Sequence, residues 1–397
     1  MATRAATLSA AATVFSALVI AAAAARRRRA RAMRRLCYAL PKAELHVHLH
    51  GCARPDTVLD LSRDCGGCSC DELQILKRGG RSLSECFVVF DVLHRAIRTR
   101  DAVARIAREA LEDFHSDGVR YLEIRTTPRA LHDADAEGYA RTVIDVLASY
   151  ALDHQRHSED WPMVVRLLLS VDRTGGAASA NRTVDLAVKL AAESEYVVGI
   201  DLSGNPTKGD VNVLLPALCR ARIAGLRVAV HCGEVPNHAE VDAILGFKAD
   251  RLGHALHLAS FHLDALSLHR TPIEICPTSN RLTLGTGTLR HHPTLRTWLA
   301  RGHPISINTD DPGVFATCAS SELLAVGMAF GLSGKHIAAL ATAPLNHAFA
   351  RDRSLMDSTC QRFHRASKRA LDAYHEECGA LGRAYDAILG AFGLYFS

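Results

Sequence analysis

Residues 44–51 read Glu-Leu-His-Val-His-Leu-His-Gly. Side chains alternate between the two faces of an extended strand. His46 and His48 therefore share one face, and Leu45, Val47 and Leu49 take the other. A strand with apolar residues behind and two imidazoles in front is half of a divalent-metal site. Three further fragments, each following an apolar run, complete it: His231-Cys232-Gly233-Glu234, Leu252-Gly253-His254-Ala255 and Asn308-Thr309-Asp310-Asp311-Pro312. Any one of them is weak evidence. Together they demand a fold that gathers the ends of distant strands at one place.

The rest of the chain is patterned for such a fold. Short apolar or β-branched runs at 43–49, 119–125, 164–171, 197–203, 226–231, 251–255, 273–276 and 305–309 alternate with longer amphipathic stretches. Eight strands alternating with helices predict a parallel (β/α)8 barrel of the TIM type. Residues 101–114 place Val103, Ile106, Ala107, Ala110, Leu111 and Phe114 on one helical face, with Asp101 as a candidate cap and Gly118 beyond the end. Residues 52–118 read as a helical insertion after strand one, a lid for the barrel mouth. Residues 322–397 read as closing helices.

A barrel of this kind carries its functional residues at the C-terminal ends of the strands. His46, His48, Asp172, Gly204, His231, His254 and Asp310 all fall there. In strand eight, Ser306, Asn308 and Asp310 are expected to face the axis, while Ile305 and Ile307 face the helices.

A chain of 397 residues has room for one large barrel or for several smaller domains. No repeat or low-complexity linker follows residue 38, so a single domain over 39–397 is expected. The formal charge of +5 does not describe that domain. Arg4, Arg26, Arg27, Arg28, Arg29, Arg31, Arg34 and Arg35 stand in the first 35 residues with no acid among them, which leaves the remainder net acidic. No nucleic-acid polymer is expected as a partner.

The arm 1–38 is alanine-rich and then arginine-rich. Three readings fit it: an extension ahead of a true start at Met33, an organelle-targeting segment, or a membrane anchor. The twelve cysteines are scattered, and Cys232 and Cys276 sit in strand-like runs, which suits free thiols in a reducing, cytoplasmic compartment. Cys65, Cys68 and Cys70 read either as a second metal or redox site or as spare thiols in a loop.

Three neutral imidazoles and a carboxylate, His46, His48, His231 and Asp310, suit one Zn²⁺ per chain with a position left open for water. The order His-x-His, His, His, Asp-Asp resembles the metal site of the adenosine deaminase family within the amidohydrolases. The resemblance runs from about Leu40 past Phe349. It implies water activated by zinc and attack at C6 of a purine. It assigns Glu234 to protonation of N1, His254 and Asp311 to orienting and deprotonating the water, and the Gly204 N–H to the purine ring. The His-x-Glu and Pro-Cys-x-x-Cys signature of the cytidine-type deaminases is not arranged here.

Four segments resemble the N6-methyl-AMP deaminase, or adenosine-deaminase-like, branch most closely. They are 87–90 with His94, 121–129, 199–206 and 313–317. In that branch the residues matching His48, His50, His94, Thr126, Thr127, Pro128, Arg129, Asp172, Gly204 and Asp311 contact the nucleotide. His50 departs from the pattern: adenosine deaminase proper has aspartate there, and the methyl-AMP branch usually asparagine. An aspartate ~4 Å from a 5′-phosphate would cost several kcal/mol at intermediate dielectric. A histidine removes that repulsion.

The expected reaction is N6-methyl-AMP plus water to IMP plus methylamine, with Arg129 pairing the phosphate. Adenosine or AMP deamination is the alternative, and a purine-nucleotide-binding barrel without turnover is the remote one. The expected partner is a small purine nucleotide or nucleoside. No membrane is expected for the barrel, and the chain is expected to be a monomer.

Overall fold

The apolar runs become eight parallel strands: β1 Lys42–His48, β2 Val119–Thr126, β3 Val164–Asp172, β4 Val197–Ser203, β5 Arg227–Cys232, β6 Arg251–His254, β7 Ile273–Ile275 and β8 Ile305–Ile307. The computed structural model describes residues 2–65, 83–156 and 161–391. The strands follow one another in chain order around the sheet, and every expected limit lies within two residues of the one found. Strands covered on both faces read as near-continuous apolar runs, which is why the sequence marks them so well. Their helix-facing residues, among them Val47, Ile124, Leu167, Ile200, Val230 and Ile307, join the main core.

The seam between β1 and β8 is built differently. His48 N–H donates to Asp310 O (2.9 Å) and Asp310 N–H to His46 O (3.0 Å). Elsewhere side chains stand in for the ladder: Asn308 Oδ1 accepts from Leu45 N (3.1 Å), and Glu44 Oε2 from Thr309 N (3.0 Å). The cause is backbone: Asp310 has φ 62°, so β8 cannot continue as regular strand. The floor of the barrel is closed by Phe349, which packs with Leu168, Val198 and Ala229 under the Arg251 guanidinium, 3.5 Å from its ring centre.

The helix Arg100–Ser116 buries the six apolar residues that its periodicity picks out. Its cap is Thr99, whose hydroxyl accepts from Ala102 N (3.2 Å). Asp101, the expected cap, lies inside the first turn, where its charge favours the helix dipole. The insertion after β1 contains the helices Pro55–Cys65 and Leu83–Ala96, and the chain closes with Ala319–Phe330, Gly334–Thr342 and Arg353–Ala391. Cys68 and Cys70 lie outside the described residues.

The arm is helical over Ala2–Ala39. Ala32, Met33, Leu36 and Cys37 are buried in the main core, and Arg29 Nη2 donates to Leu332 O (2.7 Å). Among the described residues, no helix is long and apolar enough to cross a membrane.

Candidate active site

Four ligand-type atoms converge at the C-terminal mouth. Asp310 Oδ1 lies 3.3 Å from His46 Nε2 and 3.5 Å from His48 Nε2, and His48 Nε2 lies 3.2 Å from His231 Nε2. Ligand bonds of ~2.0–2.1 Å in a tetrahedron give edges of ~3.3–3.4 Å, so the cluster has the dimensions of a divalent-cation site. His46 Nε2 is buried without a hydrogen-bond partner, a state that costs free energy unless a ligand completes it. Burial, reinforced by the neighbouring His231 and His46, lowers the His48 pKa to about 3. Burial also disfavours the charged form of His46, but the Asp310 and Glu274 carboxylates outweigh it and hold its pKa at about 9, so binding a cation there releases a proton.

The rings are aimed from below. His46 Nδ1 meets Glu274 Oε2 (2.8 Å). His231 Nδ1 is 3.2 Å from Asp201 Oδ1, close but not aligned as a hydrogen bond. One guanidinium joins the two carboxylates: Arg125 donates from Nη1 to Asp201 (2.9 Å) and from Nη2 to Glu274 (2.5 Å). Arg251 extends the network from Glu274 (2.6 Å) to Glu123 (2.5 Å). All five residues are fully buried. None was among the sequence candidates, although charges inside apolar strands, as in Glu123-Ile124-Arg125, are a readable sign of an axis-facing role.

Glu234, His254 and Asp311 face the same cavity, of about 430 Å³. Glu234 Oε1 and Asp311 Oδ1 are buried with no partner, so each presents an unused oxygen. Burial, with Asp310 adding repulsion, raises the Glu234 pKa. Burial and the Asp310 carboxylate hold Asp311 well above its ordinary range. For Glu234, a carboxyl group favouring its protonated form is suited to act as an acid near neutral pH; the same rise makes Asp311, once ionised, a stronger proton acceptor. His254 Nε2 lies 3.7 Å from Glu234 Oε2, and burial pushes the His254 pKa well down. Gly51 is dictated by this arrangement, because a Cβ there would sit 1.8 Å from Asp311 Oδ1.

The cavity wall also includes His48, His50, His94, Thr126, Thr127, Asp172 and Gly204. His50 Nε2 is 3.2 Å from the Tyr139 hydroxyl, which bonds in turn to Thr126 Oγ1. The His50 and His94 rings stand 5.3 Å apart, edge to face. Burial and then the Arg129 charge lower both pKa values. Asp172 Oδ1 accepts from Thr174 N (2.8 Å) and Thr174 Oγ1 (2.9 Å), which fixes its carboxylate. Gly204, at φ 104°, has no Cβ to block that carboxylate: one would lie 2.6 Å from Asp172 Oδ1.

Pro128 and Arg129 do not line the cavity. Arg129 Nη2 donates to the Ile97 (2.6 Å) and His94 (3.4 Å) carbonyls, at the end of the helix Leu83–Ala96. The cavity instead includes Lys208, which lies outside every segment the sequence singled out, and Phe90, Asn205 and Phe315, which lie in the segments 87–90, 199–206 and 313–317 but had no role of their own.

Residues 41–358 match the sequence model of the adenosine deaminase family. The chain is 38% identical over 335 residues to the N6-mAMP deaminase of Arabidopsis thaliana, covering 79% of this chain and 94% of that protein. It is 33% identical over 325 residues to the human N6-methyl-AMP deaminase, covering 79% and 90%. The crystal structure of Arabidopsis ADAL complexed with IMP superposes with a TM-score of 0.77 at 36% identity, covering 84% of this chain and 99% of that one. The extent of these matches, on the metal cluster and carboxylates described above, places the chain in the adenosine deaminase family.

Proposed function

We propose that the chain is a zinc-dependent hydrolase that converts N6-methyl-AMP and water to IMP and methylamine. The observation that carries this reading is the agreement of relatives named for that activity, at 38% and 33% identity over most of the chain, with a related structure that holds IMP. His46, His48, His231 and Asp310 would hold the ion. Bound zinc lowers the pKa of a coordinated water and so supplies a nucleophile at neutral pH.

The chain's own residues do the rest. Glu234 donates a proton to N1 as C6 accepts oxygen, so negative charge does not accumulate on the ring. Asp311 takes the proton released by the water. That proton reaches the exocyclic nitrogen, the C6–N bond breaks as the added hydroxyl becomes the C6 carbonyl, the hydroxyl proton returns to Glu234, and methylamine leaves. Activity of the purified protein is expected to track zinc content through chelation and reloading. Full activity in a preparation free of metal by elemental analysis rejects the zinc assignment.

A 5′-phosphate needs a cation. Among the described residues, the permanent cations on the cavity wall are Arg125 and Lys208. Arg125 is committed to Asp201 and Glu274. Lys208 is exposed at the rim. Its loop is pinned by Lys208 N to Asn205 O (3.0 Å) and by Arg173 Nε to Lys208 O (2.9 Å), with Arg173 held by Glu240 (2.6 Å). Lys208 therefore replaces Arg129 as the expected phosphate partner.

The test compares kcat/KM for N6-methyl-AMP, N6-methyladenosine and AMP. Lys208→Ala is expected to reduce the preference for nucleotide over nucleoside by about 10- to 100-fold, the range of a charged hydrogen bond. A wild type that favours the nucleoside overturns the monophosphate assignment in favour of adenosine deamination. A wild type that favours AMP over N6-methyl-AMP overturns the methyl assignment alone.

A further inference from the structure

The part His254 plays depends on which ring nitrogen carries its proton, and three buried groups decide this. The Leu295 backbone N–H donates to His292 Nδ1 (3.0 Å), with the Thr294 N–H at 3.4 Å. A backbone amide only donates, so His292 Nδ1 holds a lone pair and the ring proton is on Nε2. That nitrogen lies 3.1 Å from Asn280 Oδ1 and donates to it, which orients the amide. Asn280 Nδ2 is then left to donate to His254 Nδ1 at 2.9 Å. His254 Nδ1 is an acceptor, and the proton of the neutral ring sits on Nε2, the nitrogen nearer Glu234. Asn280, His292 and His254 are all buried, so water does not compete for these bonds. His254 itself is held at φ 62°, an uncommon conformation that fixes where the ring starts.

We infer that the Leu295–His292–Asn280 chain is a positioning device that fixes His254 as an Nε2–H donor at the reacting centre. His254 then stabilises negative charge growing on the attacking oxygen and has no lone pair facing it. Asp311, with its unpartnered buried oxygen, is left as the proton acceptor. The family resemblance gave the two residues one shared task; the hydrogen-bond chain divides it. Asn280 and His292 touch no reacting atom and act through His254.

The kinetic consequence rests on the deaminase reading, but the tautomer does not. ¹⁵N-histidine NMR of the zinc-loaded protein, with the His254 signals assigned by their loss in His254→Gln, is expected to show a protonated Nε2 and an unprotonated Nδ1. A proton on Nδ1 in the wild type overturns the proposal without any variant having to fold. Asn280→Asp replaces the amide donor by an acceptor and is expected to move the proton to Nδ1. kcat should fall by about 10- to 100-fold with zinc content and KM nearly unchanged, the pattern of a lost transition-state donor. Asn280→Gln, which can restore the donor, should recover part of the rate. A switched tautomer at unchanged kcat also overturns the proposal. A wild type inactive on every purine tested would sink the functional reading while leaving the tautomer result in force.

Discussion

Glu234→Gln is expected to keep its metal and to lose a factor on the order of 10² to 10⁴ in kcat, the range for removal of a general acid. Glutamine has the size of glutamate and can still bond the ring, but it supplies no comparable acid. Glu234 Oε1 is buried and unpartnered, and burial favours its protonated form, so its chemistry is not already committed to the scaffold. His231→Ala is the companion experiment. It removes one corner of the metal cluster and should abolish both metal and turnover, while the barrel, held by its other seven strands, survives. Metal measured by elemental analysis separates the two variants. Loss of metal in Glu234→Gln would make Glu234 a ligand or a scaffold residue.

Arg125→Met is expected to destabilise the fold by about 3–5 kcal/mol, because removing one partner of a buried ion network leaves the others uncompensated. The stranded groups here are Asp201 and Glu274, both fully buried and both in contact with metal-ligand rings. Metal affinity should therefore drop as well, by about 10- to 100-fold, as for loss of groups that orient ligands. Urea unfolding and competition with a chelator measure the two effects. A loss of stability below about 1 kcal/mol would place the weight of the network on Arg251 instead.

The strands and the metal ligands were legible in the sequence for one physical reason. A buried parallel strand is a continuous apolar run, and a functional residue at its end interrupts that run, as His231 does after Ala229-Val230. Inside the barrel, the sequence marks charges within apolar strands but not which of them pair. Glu123, Arg125, Asp201, Arg251 and Glu274 become a network only when four strands, β2, β4, β6 and β7, close on one axis. Arg129 sits in a motif that invites a ligand role, but the carbonyls of Ile97 and His94 claim it through the helix Leu83–Ala96, whose position the local sequence does not encode. Lys208 and Asn280 carry no motif at all. Met33 and Leu36 lie in a stretch whose alanines and arginines read as a tail, so their burial emerges only from the packing of the chain's two ends.

The seam between β1 and β8 bears on how the molecule assembles. Leu45 and Asn308 are 263 positions apart, so the contact that seals the barrel is among its least local. Contacts of high sequence separation form late, because chain entropy is lost before they repay it. His46 and His48 stand on one side of that seam and Asp310 on the other. Competence to bind the cation is thus gained only on closure, and an ion that binds the closed form alone shifts the balance toward it by RT ln(1 + [L]/Kd). A cation held by His46, His48 and Asp310 would staple the two sides of that seam together.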